Sequence, residues 1–545
     1  MTEPRGTSRS PSPPAPPLAD TEIELKLLAD SATFEKLLRA QRLATRKPVS
    51  QQDTYFDTAE ARLRDSRWAL RVREKGGKFI QTLKGEANVK GLPLGTRPEF
   101  EWPIEAARPD PSLMADLAAV PVVTPQELTP LVKIAVDRRT TLSTRPDRSQ
   151  VEMAFDTGEI RAGNRKAPLC EIELELKRGS PAAVYEAALA LHRKAPLRIG
   201  LGSKLDRALG LRDGDQGPAP VLASGLTLRR DVSADHGLKV LLRWALAHAV
   251  ANERPTELGH DPEGVHQLRV ALRRLRSIFR LFGPLLTGDE VEGFIADIRW
   301  LGQELGFARD LDVLATEILP TLAAELEDQA DLAVLSPLLN SERRRAQQKA
   351  ARAIRDPRTT DLWLRLGCYI ERHGWLEPTG VNETDPTDPL GEAGYDIIDP
   401  FPAQLPLRAV VSGRLTKLDR RITRHGDGLD WHVPERCHDF RIRIKRLRYA
   451  ADLAAPLFPV QEVKRLKAGL KGLQELLGDQ QDLVIAAHRL MGLRFRSAAQ
   501  RRTAEVAAGR LDAQVAMNPK MLKKAWISVR NLKRFWAKGK PSGKR

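Results

Sequence analysis

The sequence predicts an α+β N-terminal domain followed by an all-α C-terminal domain that contains an internal duplication. Three observations carry this prediction. Residues 21 to about 210 alternate polar and apolar side chains with a period of two, with Gly and Pro between short runs, the pattern of strands. A Gly/Pro-rich polar connector at 213–219 then separates this part from the remainder of the chain. From about residue 233 the periodicity becomes helical, with long Leu/Ala/Arg segments that repeat.

In chain order, residues 1–20 read as a disordered Pro/Ser leader without the apolar centre of a signal peptide. A strand-rich domain is expected at 21–212, a linker at 213–224 and a helical domain at 225–515, with repeats at about 233–345 and 405–515. A Pro/Asp/Gly loop at about 377–405 interrupts the helices, and 516–545 form a basic tail, read as a solvated, non-specific segment. The three cysteines (Cys170, Cys368, Cys437) form no CxxC pair, which points away from a disulfide framework or zinc ribbon. No apolar run approaches the roughly 20 residues that span a bilayer, so a cytoplasmic protein without membrane contact is expected. The formal charge of +17 favours polyanionic partners, while an aromatic content of 5% disfavours base stacking and places nucleic acid behind.

The charges of the first domain lie in an unusual order. In EIELKL (22–27), Glu22, Glu24 and Lys26 share one strand face and the apolar residues share the other. The same holds for Glu171, Glu173 and Glu175, for Arg71 and Arg73, and for Glu99 and Glu101. Taken singly, each strand is an ordinary sheet element with a solvated face. Taken together, like charges in close succession repel unless counter-charges face them, and the acidic and basic strands complement one another. Closing such a sheet into a barrel with the charges inward brings carboxylates and cations together, with apolar faces outward against helices such as one near 31–40.

A lumen lined by both signs suits phosphate and metal. Arg and Lys bind phosphate oxygens, whereas carboxylates repel them unless a divalent cation lies between. Hard oxygen ligands favour Mg²⁺ or Mn²⁺ over zinc. Phosphoanhydride hydrolysis is the chemistry that such a set supports.

These residues resemble the CYTH, or triphosphate tunnel metalloenzyme, family. The resemblance runs in order through EIELKL (22–27), TYFDT (54–58), LRVRE (70–74), QTLKG (81–85), RPEFE (97–101), DRR (137–139), MAFDTGEI (153–160), CEIELELK (170–177) and GSK (202–204). It implies an eight-stranded antiparallel tunnel with flanking helices that hydrolyses inorganic or organic triphosphates. By the resemblance, Glu22, Glu24, Asp156, Glu171 and Glu173 hold metal, with Glu101 supporting metal or water. Lys26, Arg71, Arg73, Lys84, Arg139 and Lys204 form the phosphate clamp. Arg138 competes with Arg139, because adjacent strand residues face opposite sides.

In the helical part, His266, Arg269, Arg273, Arg274 and Arg276 recur as His438, Arg441, Lys445, Arg446 and Arg448. At the same offset of 172, His260 meets His432, Leu305 and Gly306 meet Leu477 and Gly478, and Asp310 meets Asp482. One basic helix face is usually a solvated one. Two copies without interleaved acids, each repelling itself, point to a bound polyanion. This part resembles the CHAD family through the HxxRVxxRRLR segment and LGFARDLDV (305–313). The resemblance implies binding of long-chain inorganic polyphosphate by His266, Arg269, Arg273, Arg276, His438, Arg441, Lys445 and Arg448, and with it a location at polyphosphate granules. Asp310 and Asp482 would orient basic side chains. The copies differ where Arg309 becomes Gln481 and Asp312 becomes Val484. The leading expectation is a metal-dependent inorganic triphosphatase joined to a polyphosphate binder. The rivals are a non-catalytic granule protein and a triphosphatase or cyclase that acts on an organic triphosphate.

Overall fold

The computed structural model describes residues 20–86, 92–214, 217–286, 288–325, 332–376, 402–477, 479–514 and 519–537. The expected leader, apart from Asp20, lies outside them, as do 215–216 of the linker, most of the 377–405 loop and tail residues 516–518 and 538–545. The chain divides into two compact units. Among the described residues no helix is long and apolar enough to cross a membrane.

The first unit is built on β1 (Asp20–Leu28), β2 (Val49–Asp57), β3 (Trp68–Lys75), β4 (Lys78–Gly85), β5 (Leu94–Ile104), β6 (Thr129–Thr144), β7 (Gln150–Ala162) and β8 (Arg165–Arg178). Neighbours pair in the order β5-β4-β3-β2-β6-β7-β8-β1, and β1 also pairs with β5. That pairing closes an eight-stranded antiparallel barrel and leaves no long free edge. β1 divides one flank between two partners: Asp20–Leu25 pair with β5, and Lys26–Leu28 pair with the short β9 (Arg198–Gly200).

Alternation decides what each strand shows to each side. The outward face of β1, β7 and β8 presents Leu25, Leu27, Phe155, Ile172 and Leu174, all buried. Helix α1 (Ser31–Ala40) covers them, capped by Asp30, whose carboxylate accepts from the Thr33 amide at 2.7 Å. Phe34 meets Phe155 edge-on at 5.7 Å, and Phe34, Leu37 and Leu38 contribute about 1.5–3 kcal/mol each through burial. On the opposite flank, Phe56, Leu70, Val72, Leu83 and Trp102 pack with Leu63 of α2 (Arg62–Asp65) and with Met114, Val120 and Leu128.

After β8 the chain leaves this unit. Helix α3 (Ala182–His192) belongs to the second unit, where it packs on the helix Pro357–Glu371. Tyr185 lies so close to Gly367 that a Cβ there would overlap the ring. The chain then returns for β9 and α4 (Lys204–Asp213), whose Ser203 and Asp206 form a capping box.

The second unit is helical, and its helices follow the repeat. Ala234–Ala251 and Leu407–Asp427, Glu263–Phe282 and Pro434–Ala454, Asp289–Glu304 and Val460–Leu476, and Gly306–Val313 and Asp479–Met491 each start within one residue of the 172 offset. The expected solvated tail is corrected where it is described. Pro519–Arg530 is a helix whose Trp526 meets Phe440 edge-on at 5.0 Å, Phe535 packs on Phe458, and Arg534 pairs with Asp419 at 3.0 Å. Its apolar residues Leu522, Trp526 and Val529 fall on one helical face and are buried, so the segment is part of this core despite its lysines.

Candidate active site

Register places the charged faces inside the barrel. Across β1 and β8, Lys26 stands opposite Glu173 and Glu24 opposite Glu175. Across β7, Asp156 stands opposite Glu171 on one side and Arg138 on the other. Carboxylate oxygens of Asp156, Glu171 and Glu173 all lie within 4.8 Å of one another, a set of hard donors that fits a divalent cation such as Mg²⁺ or Mn²⁺. Lys204, at the first turn of α4, lies 3.0 Å from Asp156, 2.7 Å from Glu173 and beside Glu171. Arg138 grips Asp156 through Nε at 2.7 Å and reaches Glu173 at 2.5 Å. Burial opposes the charge on Glu173, but Lys204, Lys26 and Arg138 outweigh it and hold the carboxyl well below its usual range.

A second cluster faces this one. Lys84 lies 3.0 Å from Glu22 and 2.9 Å from Glu99, while Arg97 spans Glu22 and Glu24. Burial raises the Glu22 carboxyl, and Lys84 and Arg97 together bring it below its ordinary value. Lys26 joins the clusters, 3.1 Å from Glu24 and 3.7 Å from Glu173. The third cluster centres on Asp53, which is fully buried. It accepts from Arg73 at 2.7 and 2.9 Å and from Arg71 at 3.4 Å. Despite burial, these arginines lower Asp53 to about 2. Arg71 also donates to Thr82, whose hydroxyl bonds Glu101.

The barrel thus gathers Glu22, Glu24, Lys26, Arg71, Arg73, Lys84, Glu101, Asp156, Glu171, Glu173 and Lys204. Arg139 is corrected: alternation turns it outward, where its Nε donates to the Arg46 carbonyl, and Arg138 takes the interior position. Accordingly, Arg138→Met should lower phosphate-ester or anhydride turnover by about 100-fold, and Arg139→Met should leave it within about threefold, as read by steady-state rates. Sequence reasoning missed Asp53, Arg97 and Arg207, which pairs with Glu171. Arg97 carried a signal, since it shares its strand face with Glu99 and Glu101. Arg207 carried one as well, lying one helical turn beyond Lys204.

In the second unit the two basic helices, Glu263–Phe282 and Pro434–Ala454, pack against one another. Arg273 and Arg448 both lie over the Tyr449 ring, at 4.9 and 4.7 Å from its centroid. Asp310 holds Arg489 at 2.9 Å, whereas the Asp482 side chain lies outside the described residues. Burial together with neighbouring arginines lowers the basicity of three groups: His266 (Arg309), Arg269 (Arg273) and Arg276 (Arg299, Arg446). Arg441 is buried, while His438 is exposed and Lys445 half-buried. Arg274 is a packing residue, stacked at 4.1 Å on Trp244 and bonded to His248, a histidine that burial and Arg274 lower to about 4.

Comparison with known proteins agrees with this division. Residues 20–209 match the CYTH domain and residues 241–491 match the CHAD domain. The first part is similar to the inorganic triphosphatase of Haemophilus influenzae, 29% identical over 192 residues, which cover 34% of this chain and 53% of that protein. The match thus spans about half of that relative's length. An uncharacterised protein of Mycobacterium tuberculosis is 27% identical over 492 residues, covering 85% of each chain. The crystal structure of the CHAD domain from the plant Ricinus communis is 28% identical and covers 58% of this chain and 98% of that one, at a TM-score of 0.48. The chain is a two-domain protein with a CYTH domain at residues 20–209 and a CHAD domain at residues 241–491.

Proposed function

We propose that the CYTH barrel hydrolyses inorganic tripolyphosphate with Mg²⁺ or Mn²⁺ and that the CHAD unit binds inorganic polyphosphate. The observation that carries the first reading is the convergence of Asp156, Glu171 and Glu173 inside a ring of cations. These three carboxylates would hold the metal, with Glu22 and Glu24 across the lumen as further oxygen donors. When bound, such an ion polarises the phosphoryl group and neutralises the leaving phosphate. Lys204, Arg138 and Lys26 hold non-bridging oxygens beside it, and Arg71, Arg73, Lys84 and Arg97 hold the remainder of the chain. Asp53 keeps Arg71 and Arg73 parallel rather than splayed by mutual repulsion, which favours in-line attack by water. Glu101, exposed beside Thr82, is placed to accept a hydrogen bond from that water.

The similarity to a protein named inorganic triphosphatase supports this substrate. The test is phosphate release from tripolyphosphate, ATP and thiamine triphosphate, each with and without Mg²⁺ or Mn²⁺. Faster release from an organic triphosphate would move the substrate assignment, and no metal-dependent release from any of them would leave only a binding protein.

For the second unit, the supporting observation is the packing of the two basic helices, which brings Arg273 and Arg448 together over the Tyr449 ring, where burial first and neighbouring arginines second lower Arg269 and Arg276. A polyanion relieves that repulsion. Arg273→Ala with Arg448→Ala should weaken polyphosphate binding by about tenfold per residue, with a shallower salt dependence, in calorimetric titrations at two ionic strengths. Duplex DNA that displaces polyphosphate at equal phosphate concentration would reassign the partner. Polyphosphate granules are the location that this reading implies.

A further inference from the structure

The outer wall of the barrel carries a separate concavity, on the back of the strands that bear Asp53, Arg71 and Arg73. Alternation turns Gln52, Thr54 and Phe56 of β2, with Val72 and Glu74 of β3, away from the lumen. Lys133 of β6 stands opposite Thr54, and Phe79 of β4 stands opposite Glu74, so both share this outer face. The segment between β5 and β6 passes over them and leaves a cavity of about 360 Å³ against the wall. That volume falls within the roughly 300–1,000 Å³ of small-molecule sites.

Hydrogen bonds hold this cavity open. Gln81 of β4, wholly buried, donates from Nε2 to the Asp110 carbonyl at 3.0 Å and accepts from the Asp110 amide at 2.7 Å. The clasp fixes the backbone of Arg108 and Pro109 above the sheet. At the other edge Arg62 donates to the Val122 carbonyl at 2.7 Å and pairs with Glu127 at 2.8 Å, which steadies Pro125 and Leu128. The floor is apolar, with Phe56, Val72 and Leu128 buried. The rim is polar. Among the described residues, the side chains of Gln52, Thr54, Glu74, Arg108 and Lys133 have no hydrogen-bond or ion-pair partner.

Opposite charges stand at opposite ends of the cavity. From Lys133 to Glu74 the path crosses two strands and advances two residues, about 12 Å between Cα atoms at ordinary sheet spacings. An inorganic polyphosphate fits this poorly, since it would set one end against the Glu74 carboxylate and lay bare charge over Phe56 and Val72. The set suits a ligand with an apolar plane between an anionic end and an end rich in N–H groups. We propose that this cavity binds an adenine mononucleotide, with its base against Phe79 and its phosphate at Lys133 and Arg108. A glutamine amide bonds adenine at the 6-amino group and N7 together, and a glutamate accepts from an exocyclic amine. Gln52 and Glu74 stand opposite one another across β2 and β3, so each takes one hydrogen of the same amino group. A 6-oxo purine presents an oxygen there, which the carboxylate repels. Thr54, opposite Lys133, meets the ribose. The site lies outside the lumen and stands whether or not the barrel hydrolyses tripolyphosphate.

The test is calorimetric titration of the full chain with the monophosphates of adenosine, inosine and guanosine, and with orthophosphate. Adenosine monophosphate should bind saturably and at least about tenfold more tightly than the other two nucleotides. Cations of the lumen and of the basic helices treat the three alike, because they differ only in the base. Glu74→Ala should level the preference, and Lys133→Ala should weaken all three nucleotides by about tenfold. Both residues are exposed and without partners, so the variants keep the fold, which an unchanged melting temperature verifies. No saturable binding of adenosine monophosphate would overturn the proposal, and so would inosine or guanosine monophosphate binding as tightly. Orthophosphate of equal affinity would reduce the cavity to an anion site and overturn it as well. A preference that survives Glu74→Ala would equally sink it, and loss of that preference in Lys204→Gln would place the nucleotide in the lumen instead.

Discussion

Glu173→Gln should reduce metal-dependent phosphate release from tripolyphosphate by about 10³-fold, the largest loss expected of any single substitution in the barrel. Glu173 belongs to the triad and also touches Lys204, Arg138 and Lys26. Glutamine keeps its volume and one oxygen, so the loss reports charge rather than shape. Both functions of the carboxylate fail together, since a neutral amide neither ligates a hard cation well nor fixes three ammonium and guanidinium groups. Glu175→Gln, on the same face but two residues nearer the mouth, is the matched control and should change the rate by less than about tenfold. Steady-state rates across a metal titration decide the matter. A Glu173→Gln enzyme with near-normal turnover at saturating metal would remove the triad from the reaction.

Asp53→Asn should be the most costly change for stability, at about 3–5 kcal/mol, because it strips the counter-charge from the buried Arg71 and the half-buried Arg73. Its carboxylate is fully buried and accepts three hydrogen bonds from Arg71 and Arg73. The free carboxyl titrates near 3.9 in an unfolded chain, and in the folded barrel it is held at about 2. A depressed folded value means that the native state releases this proton more readily than the unfolded state. The stabilisation is therefore complete above about pH 4 and disappears as the pH falls through about 2. Urea unfolding at pH 7 and at stepwise lower pH reads both effects. A cost below about 1 kcal/mol would show that Arg71 and Arg73 find other partners, with Thr82 and Glu101 the nearest.

Much of the barrel was readable because strand alternation reports faces directly. Glu22, Glu24 and Lys26 could only share a side, and so could Glu171, Glu173 and Glu175. What a single strand cannot report is which side its neighbour turns inward. Arg138 and Arg139 are adjacent, and only pairing with Asp156 separates them. Asp53 escaped for a related reason. A lone acid between Gln51 and Tyr55 has no cation on its own strand, and its partners stand on β3. The packing of α4 on Tyr55, Ile134 and Ile160 was hidden more deeply, since Leu205, Ala208 and Leu209 follow the spacing of any helix that packs on a sheet. Nothing in that spacing says which face of the sheet the helix meets. In the helical part the repeat was visible because its offset never slips. The docking of Trp526, Phe535 and Trp536 was not, because the surrounding lysines dominate the local composition.

Helix α3 ties the two halves of the chain as a thread sewn through both. The backbone leaves the barrel after β8, contributes Tyr185 and its neighbours to the helical core, and comes back to lay down β9 and α4. Deleting everything beyond residue 215 would keep the whole barrel sequence yet strip α3 of the helix against which it packs. Its run of Ala183, Val184, Tyr185, Ala187, Ala188 and Leu191 would then face water in the middle of a loop that must still close the barrel. The first unit is therefore expected to fold less well from residues 1–215 alone than within the full chain.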